Sequence, residues 1–264
     1  MGDLPLGGAY ADIDGLHMYY EVHGRGEPLV LLHGALSATE TSFGALIPAL
    51  SDGRQLIAVE QQAHGRTADI DRPLSIRQMA DDTAALLARL GIARADVFGY
   101  SMGAAIGLDL ALRRPELVRK LVHLSSGYQV AGLHPGLLVG LEEMSPEMLA
   151  GSPFEAEYLR LAPEPANWPV LIEKNKQLDK NLPDIPAEVL RTLTVPVLVA
   201  IGDSDIITPE HAVDMFRQLG GGVVGDLAGL PASQLAILPG TTHVTAALRS
   251  DLLPAIIAGF LDAK

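Results

Sequence analysis

Short apolar runs alternate with segments of helical periodicity along most of this chain. Residues 29–32 and 56–59 are wholly apolar, as expected of strands that are buried on both faces of a sheet. Between residues 76 and 90, apolar side chains recur at intervals of three and four, which predicts a helix capped at its end by Gly91. Strands that alternate with helices imply the α/β class, with a mostly parallel, doubly wound sheet and helices on both faces.

The same alternation predicts the remaining elements. Near the N-terminus, two strands at residues 9–13 and 16–23 are joined by a turn at Asp14-Gly15, which is a hairpin signal. Further strands are predicted at residues 97–98, 117–124, 197–201 and 233–238, and helices at residues 43–50, 102–114, 209–219 and 245–261. The glycine-rich stretch 220–231 is expected to be a flexible surface loop.

Between residues 127 and 190 this alternation breaks down. The segment carries many prolines and short helical bursts, such as residues 155–161, but no strong strand pattern. Because the sheet pattern continues on both sides, the segment is predicted to be a helical lid inserted after the sixth strand, not an independent domain. The predicted organisation is therefore a core of residues 1–126 and 191–264 with a lid of residues 127–190.

Composition narrows the class of protein. The chain has 264 residues, of which 48% are hydrophobic and 19% charged, as is typical of a compact globular enzyme. Its formal net charge of -13 disfavours nucleic acid and anionic membrane surfaces as partners, although excess acid is also ordinary on a soluble protein. The absence of cysteine excludes disulfides and thiolate catalysis.

No targeting signal is visible in the sequence. Residues 1–6 lack both a basic region and a sustained apolar run. No stretch approaches the roughly 18 uninterrupted apolar residues of a membrane span. We therefore expect no membrane association and a cytoplasmic location, while the oligomeric state stays open, a homo-oligomer included.

The strongest chemical signal is Gly99-Tyr100-Ser101-Met102-Gly103, which lies where a predicted strand gives way to a predicted helix. This context fits the G-x-S-x-G nucleophile elbow, a sharp turn that lifts a serine hydroxyl above the edge of a sheet. The positions two before and two after the serine must be small, because larger side chains would collide across the turn. An ordinary serine N-cap is the alternative, and the flanking glycines favour the elbow.

A nucleophilic serine needs an adjacent base and an acid that orients this base. Elbow-type folds supply them in the chain order serine, acid, histidine. Asp205 and His243 follow the predicted strands at residues 197–201 and 233–238 in that order. Both are therefore expected at the carboxyl edge of the sheet, where ligands gather.

Two alternatives for the acid lie nearby. Asp203 is a rival of Asp205, although it is more readily explained by an Asx-turn that fixes the loop. Ser125-Ser126 stands at the other position for the acid, after the sixth strand, but a hydroxyl cannot stabilise imidazolium as a carboxylate does. The other histidines show no ligand spacing, so neither a metal nor another cofactor is expected.

These motifs and their order resemble the α/β-hydrolase superfamily, in its single-domain esterase-type branch with a lid. The resemblance runs from about residue 10 to the C-terminus outside the lid and rests on His33-Gly34, residues 63–67, 99–103 and 202–205, Thr208-Pro209 and His243. It implies that Ser101 is the nucleophile, His243 the general base and then acid, and Asp205 its orienting partner. It also implies an oxyanion hole built from the backbone N–H groups of Ala35 and Met102.

One loop departs from the family pattern. Where Asp-x-x-Gly-His-Gly is common, this chain reads Glu60-Gln61-Gln62-Ala63-His64-Gly65, and alanine in place of glycine implies ordinary backbone angles at Ala63. His33 is followed by a single glycine, so the multi-glycine loop of some lipases is absent. His33 and His64 are expected to be structural and to bond the backbone of their loops.

Large side chains of the predicted lid are candidates for the substrate pocket. Met144, Phe154, Tyr158 and Trp168 could line an acyl pocket or form the core of the lid itself. Tyr100, beside the nucleophile, is a further candidate, because residues at this position are often buried under the lid in similar proteins.

These observations predict a carboxylesterase, a serine hydrolase that cleaves small, rather apolar carboxylic esters through an acyl-enzyme without a cofactor. Lactone hydrolysis, carbon–carbon bond hydrolysis and perhydrolysis use the same machinery and stay open. A non-catalytic ligand receptor on the same scaffold is the alternative from another class, because fold does not determine function.

Overall fold

The computed structural model describes residues 4–263. Part of the stretch 1–6, for which the sequence predicts no targeting signal, therefore lies outside the described residues. Within residues 4–263 the strands are β1 (Gly7–Ile13), β2 (Leu16–His23), β3 (Glu27–Leu32), β4 (Arg54–Val59), β5 (Ala95–Tyr100), β6 (Val118–Leu124), β7 (Val197–Ser204) and β8 (Gln234–Thr242). They form one sheet in the order β1-β2-β4-β3-β5-β6-β7-β8. β1 and β2 form an antiparallel hairpin, β2 pairs antiparallel with β4, and the later pairs are parallel. The predicted mostly parallel sheet is confirmed.

Helices connect the strands. They are α1 (Thr39–Phe43), α2 (Ile47–Leu50), α3 (Ile76–Arg89), α4 (Met102–Arg113), α5 (Leu137–Glu142), α6 (Pro153–Leu161), α7 (Trp168–Lys180), α8 (Ala187–Leu190), α9 (Pro209–Gln218), α10 (Gly225–Ala228), α11 (His243–Ala246) and α12 (Leu253–Asp262), with 3-10 turns at Val130–Gly132, Pro146–Leu149 and Pro165–Asn167. In the part of the chain described, none of them is long and apolar enough to cross a membrane.

The sheet has an apolar core on each face. Alternate residues of β3 enter two different buried clusters, Val30 and Leu32 the first, Leu29 and Leu31 the second. The first cluster also contains residues of α3, α4 and α9, and the second contains residues of α1, α2 and α12. Successive side chains of a strand point to opposite faces, so helices cover both faces of the sheet.

Three predicted segments differ from the structure. The helix expected at residues 43–50 is two short helices, α1 and α2, and the one expected at 245–261 is α11 followed by α12. In both cases a proline in the first turn of the second helix, Pro48 or Pro254, favours a new helix start over a continuous helix. The loop expected at 220–231 contains one helical turn, α10.

Residues 125–196, named here the β6–β7 segment, follow the sixth strand, where the lid is predicted. The segment contains α5 to α8 and, although all its residues are described, contributes no strand to the sheet. It packs on the core partly through Tyr158, Trp168 and Leu171, which belong to the first apolar cluster. Its helices therefore share a continuous core with the sheet.

Candidate active site

Ser101 occupies a strained turn between β5 and α4. Its φ of 55° and ψ of -116° form a conformation that L-residues rarely adopt and that costs about 1–3 kcal/mol. The Ser101 N–H donates to the carbonyl oxygen of Leu124 at 2.9 Å, which ties the turn to β6. A Cβ atom at Gly99 would collide with the backbone of Gly103, and one at Gly103 with the backbone of Leu32. Both flanking positions therefore require glycine, for the steric reason that the motif implies.

His243 bridges Ser101 and Asp205. Its Nε2 lies 3.0 Å from Ser101 Oγ, and its Nδ1 lies 2.8 Å from Asp205 Oδ1. With Nδ1–H donating to the carboxylate, Nε2 is left to accept the serine proton. The three residues stand at the carboxyl ends of β5, β7 and β8, which meet at one edge of the sheet. The structure thus brings together the three side chains that the sequence nominates.

The Asp205 carboxylate is fully buried and well supplied with donors. Oδ1 also accepts from Ile206 N–H at 2.7 Å, and Oδ2 accepts from Ser125 Oγ at 2.6 Å and Gly202 N–H at 3.1 Å. Burial alone would raise the pKa of Asp205, but the hydrogen bonds from His243, Ser125 and Gly202 outweigh it and hold the pKa below its ordinary value. The carboxylate therefore stays ionised beside the imidazole.

The rival acid, Asp203, serves a different loop. Its exposed carboxylate accepts from Gly240 N–H at 2.8 Å and Thr241 N–H at 3.0 Å, and these bonds hold its pKa below the ordinary value. Its hydrogen bonds thus reach the turn before His243, while those of Asp205 reach the imidazole itself. This geometry favours Asp205 as the acid.

Ser125 supports the acid, a role that the sequence reasoning missed. It follows β6 with a φ of 58°, in the left-handed region, and its hydroxyl donates to Asp205 Oδ2. The signal available in the sequence was its place at the alternative acid position. There the hydroxyl assists the carboxylate of β7 and does not replace it.

Ser125→Ala is expected to lower kcat by about tenfold with little change in KM. A hydrogen bond to a charged group contributes about 1.5–3 kcal/mol, and its loss loosens the carboxylate that bonds His243. Ser125 also lines the cavity, but the change to alanine removes one oxygen only, so KM should change little. Steady-state kinetics on an activated ester would measure the split. Ser126→Ala is the matched control, and an equal loss in the two variants would contradict a positioning role for Ser125.

Two backbone N–H groups at residues beside the Ser101 cavity have no acceptor within residues 4–263. Met102 is the first residue of α4, so its N–H has no helical acceptor. The N–H of Ala35, in the loop after β3, donates no hydrogen bond within residues 4–263. Both residues line the cavity that contains Ser101. They are the two residues for which the family resemblance implies an oxyanion hole.

The loop that carries Ala35 is held by a carboxylate from the β6–β7 segment. Glu157 of α6 is 5% exposed, and it accepts from Ala38 N–H at 2.7 Å and Thr41 N–H at 2.8 Å. Leu36, between Ala35 and these amides, has a φ of 59° and is strained. Glu157 thereby joins the β6–β7 segment to the strained loop that carries Ala35.

Glu157→Gln is expected to destabilise the fold by about 1–3 kcal/mol, because glutamine has one acceptor oxygen and leaves a buried N–H unpaired. Urea unfolding would measure the change in the free energy of unfolding, and kcat should fall as the Ala35 loop loosens. Glu155→Gln, an exposed change on the same helix, is the control. Equal stability of the two variants would show that Glu157 does not hold the loop.

The cavity beside Ser101 is small and largely apolar. It has a volume of about 100 Å³, and Leu141 and Leu178 of the β6–β7 segment face Ser101, Met102 and Ala105 of the core across it. Its size suits a short acyl group. The sequence reasoning did not nominate these leucines, since nothing in their spacing distinguishes them from core residues.

The predicted substrate contacts of the lid are not among the residues that line this cavity. Tyr158 and Trp168 are buried with their ring centroids 5.3 Å apart, and Met144 packs against the first apolar cluster. Their placement matches the alternative in which they form the core of the segment. Phe154 lines a second cavity, of about 620 Å³, whose lining does not include Ser101.

Tyr100 also borders the second cavity. Its hydroxyl donates to the backbone carbonyl of His243 at 3.0 Å, and burial raises its pKa, with the charge of Asp205 adding to the shift. The phenol therefore stays neutral and anchors the loop that presents the imidazole.

The two loop histidines bond the backbone, as predicted. His33 Nδ1 lies 2.8 Å from the carbonyl oxygen of Gly34, and its Nε2 accepts from Gln61 N–H at 2.9 Å. His64 Nδ1 lies 2.8 Å from the carbonyl oxygen of Gln62. Burial lowers the pKa of His33 to about 4 and that of His64 to about 3, so both rings are neutral.

Ala63, in contrast, does not have ordinary backbone angles. Its φ is 65°, so the prediction was wrong, and the turn persists although its residue is alanine. The strain of about 1–2 kcal/mol is offset in a loop in which His64 N–H donates to Gln61 O at 3.0 Å.

Among the described residues, no cluster of three or more His, Cys, Asp or Glu could hold a metal ion.

An eight-stranded, mostly parallel sheet with a serine elbow at its carboxyl edge defines a hydrolase of the α/β class. Residues 27–181 match the family model described as "alpha/beta hydrolase fold". This match covers more than half of the chain, which therefore belongs to the α/β-hydrolase family.

Individual relatives agree with this assignment. The protein named "Putative carbamate hydrolase RutD" from Azorhizobium caulinodans is 28% identical over 273 residues, which cover 95% of this chain and 97% of that protein. The structure of Est816, an N-acyl homoserine lactone degrading enzyme, has a TM-score of 0.73 at 23% identity and covers 96% of this chain and 100% of that one. The structure of E-2-(acetamidomethylene)succinate hydrolase has a TM-score of 0.75 at 22% identity, and it covers 97% of this chain and 99% of that one. The two structures share the fold.

Proposed function

We propose that this hydrolase cleaves small carboxylic esters through an acyl-enzyme, with Ser101, His243 and Asp205 as its catalytic triad. The observation that carries the proposal is the hydrogen-bonded chain from Ser101 Oγ through His243 to Asp205, at 3.0 and 2.8 Å. Ser101 lines a small, largely apolar cavity together with Ala35 and Met102, whose backbone N–H groups have no acceptor among the described residues. A nucleophile, a base, its orienting acid and oxyanion donors are the parts that acyl transfer requires.

In the proposed mechanism, Ser101 Oγ attacks the ester carbonyl while His243 Nε2 takes the serine proton. The oxyanion of the tetrahedral intermediate accepts from the N–H groups of Met102 and Ala35, each contributing about 3 kcal/mol to lowering the barrier. His243 then protonates the departing alcohol. Water, deprotonated by His243, attacks the acyl-enzyme and releases the acid, which restores Ser101.

We propose that the β6–β7 segment acts as a lid over this site. Leu141 and Leu178 of the segment line the cavity with Ser101, and Glu157 binds the loop of Ala35. A lid that excludes water strengthens the electrostatic interactions of the oxyanion. A cytoplasmic location remains a prediction.

Carbamate hydrolysis is a second candidate. The relative whose name states this activity matches 95% of the chain, and a carbamate carbonyl can be attacked by the same serine. The structural likeness to a lactone-degrading enzyme shows the fold alone.

A substrate panel tests the proposal. We expect turnover of 4-nitrophenyl acetate and butyrate, with a steep loss at octanoate because the cavity is small. An aryl carbamate and γ-butyrolactone belong in the same panel, and their rates decide between the candidates. Equal rates for wild type and Ser101→Ala on every compound would overturn the proposal and favour a binding protein.

A further inference from the structure

Asp179, near the end of α7, is a carboxylate without a partner on the wall of the cavity that holds Ser101. Across the described residues its side chain makes no hydrogen bond and no ion pair. Other acids of the β6–β7 segment are engaged, Glu157 with two backbone amides and Glu173 with Gln177 at 2.8 Å. Glu143 and Glu188 of the segment also lack a partner among the described residues, but they are exposed, whereas Asp179 is half-buried on the wall of the Ser101 cavity.

Much of the cavity wall that Asp179 shares is apolar, with Leu141, Leu178, Leu182 and Pro183. Ser126 and Gln129 also line the cavity and carry donors, but within residues 4–263 neither hydrogen-bonds the Asp179 carboxylate. Burial alone raises the pKa of Asp179 to about 6, with no contribution from a neighbouring charge. At pH 8 the carboxyl is thus mostly ionised and only partly solvated, and a bound cation would stabilise its charge.

The lysines of α7 do not supply that cation. Lys174 Nζ lies 2.7 Å from Asp69, Lys176 Nζ 3.6 Å from Glu173, and Lys180 Nζ 3.7 Å from Glu142. Each is thus committed to another carboxylate. A half-buried carboxylate on the wall of an apolar cavity is favourably placed to pair with a cation that a ligand brings.

We propose that Asp179 is a specificity residue that receives a positively charged nitrogen of the substrate. The preferred substrates are then small esters or carbamates that bear an ammonium group near the scissile carbonyl. This inference rests on the proposed function, because it assigns the reacting carbonyl of the substrate to Ser101 and the cation of the substrate to Asp179 in the same cavity. The apolar walls between them would bind the connecting methylene groups.

Matched ester pairs that differ in charge test the proposal. In the acyl arm, methyl 5-aminopentanoate is compared with methyl hexanoate, and in the alcohol arm, 2-(trimethylammonio)ethyl butyrate is compared with 3,3-dimethylbutyl butyrate. Acid release at pH 8 is expected to show kcat/KM at least about tenfold higher for the cationic ester in one arm. Asp179→Asn should remove this preference, so that the ratio of the two kcat/KM values falls to about one. Glu173→Gln, on the same helix, should retain it.

A binding measurement separates this inference from the proposed function. Titration calorimetry in the Ser101→Ala background, with and without Asp179→Asn, reports affinity for each ester without turnover. If wild type hydrolyses none of the esters but the cationic member binds more tightly through Asp179, the esterase proposal fails and the cation site stands. Equal affinities within both pairs would overturn the cation site, as would an equal loss for both members in Asp179→Asn. Thermal unfolding should show that variant to be as stable as wild type or more so, because it loses an unpaired, half-buried charge.

Discussion

Ser101→Ala is expected to lower kcat for activated esters by about three to six orders of magnitude. The effect is this large because, in the proposed mechanism, the hydroxyl forms the covalent bond to the acyl group, and Ser101 Oγ is the atom that lies 3.0 Å from His243 Nε2. The fold should persist, since alanine keeps the Cβ atom and Gly99 and Gly103 still permit the turn. Circular dichroism and thermal unfolding would check folding beside steady-state kinetics.

His243→Ala should cause a loss of similar size, and the double variant should be little worse than either single one. Such non-additivity is expected because the serine and the imidazole act as one unit, 3.0 Å apart. Additive losses would indicate that the two side chains act independently.

Covalent labelling identifies the nucleophile directly. A fluorophosphonate should modify Ser101, and peptide mass spectrometry would locate the adduct. Ser126→Ala removes another serine that lines the cavity and should leave the label in place. An adduct at any other residue would refute the assignment of Ser101.

Asp205→Asn is expected to lower kcat by about 10⁴-fold, whereas Asp203→Asn should leave it within a few fold of wild type. An asparagine amide that donates to Nδ1 would hold the imidazole in the wrong tautomer, so Nε2 could no longer accept the serine proton. Asp203 instead bonds Gly240 and Thr241, so its loss should affect the loop more than the chemistry.

The two aspartates provide each other's control, since they lie two residues apart and undergo the same change. Kinetics should be paired with unfolding curves to separate folding from catalysis. The reverse ranking of kcat would transfer the role of the acid to Asp203.

Much of the fold and of the candidate triad is readable from the sequence because both follow from local rules. Parallel strands bring their carboxyl ends to one edge, so the positions of Ser101, Asp205 and His243 after their strands already predicted that they would meet. The need for glycine at positions 99 and 103 likewise follows from the turn itself. These inferences required only chain order and local sterics.

The features that escaped prediction depend on tertiary contacts. The hydrogen bond from Ser125 to Asp205 joins residues 80 positions apart and requires a strained backbone at the serine. Tyr158 and Trp168 could have faced either the substrate or each other, and residue type does not decide between these environments. The φ of 65° at Ala63 shows that surrounding contacts can impose a conformation that the residue itself disfavours.

The place of Asp179 on the cavity wall could not be predicted from the sequence either. Asp179 lies in a polar stretch of α7, between Leu178 and Lys180, and the pattern alone marks it as one more surface acid. Only packing of the segment against the sheet places this position on the cavity that Ser101 also lines.

The bond between Glu157 and the amides of Ala38 and Thr41 has a consequence for large substrates. An outward movement of α6 that admits a bulky ester would break both hydrogen bonds of Glu157 and leave its carboxylate and the two amides unpaired. It would also loosen the connection between β3 and α1 that carries Ala35. The protein could then either admit the bulky substrate or hold the Ala35 N–H in place for the oxyanion, but not both at once. Bulky esters would therefore react with a low kcat even if the cavity could widen enough to bind them.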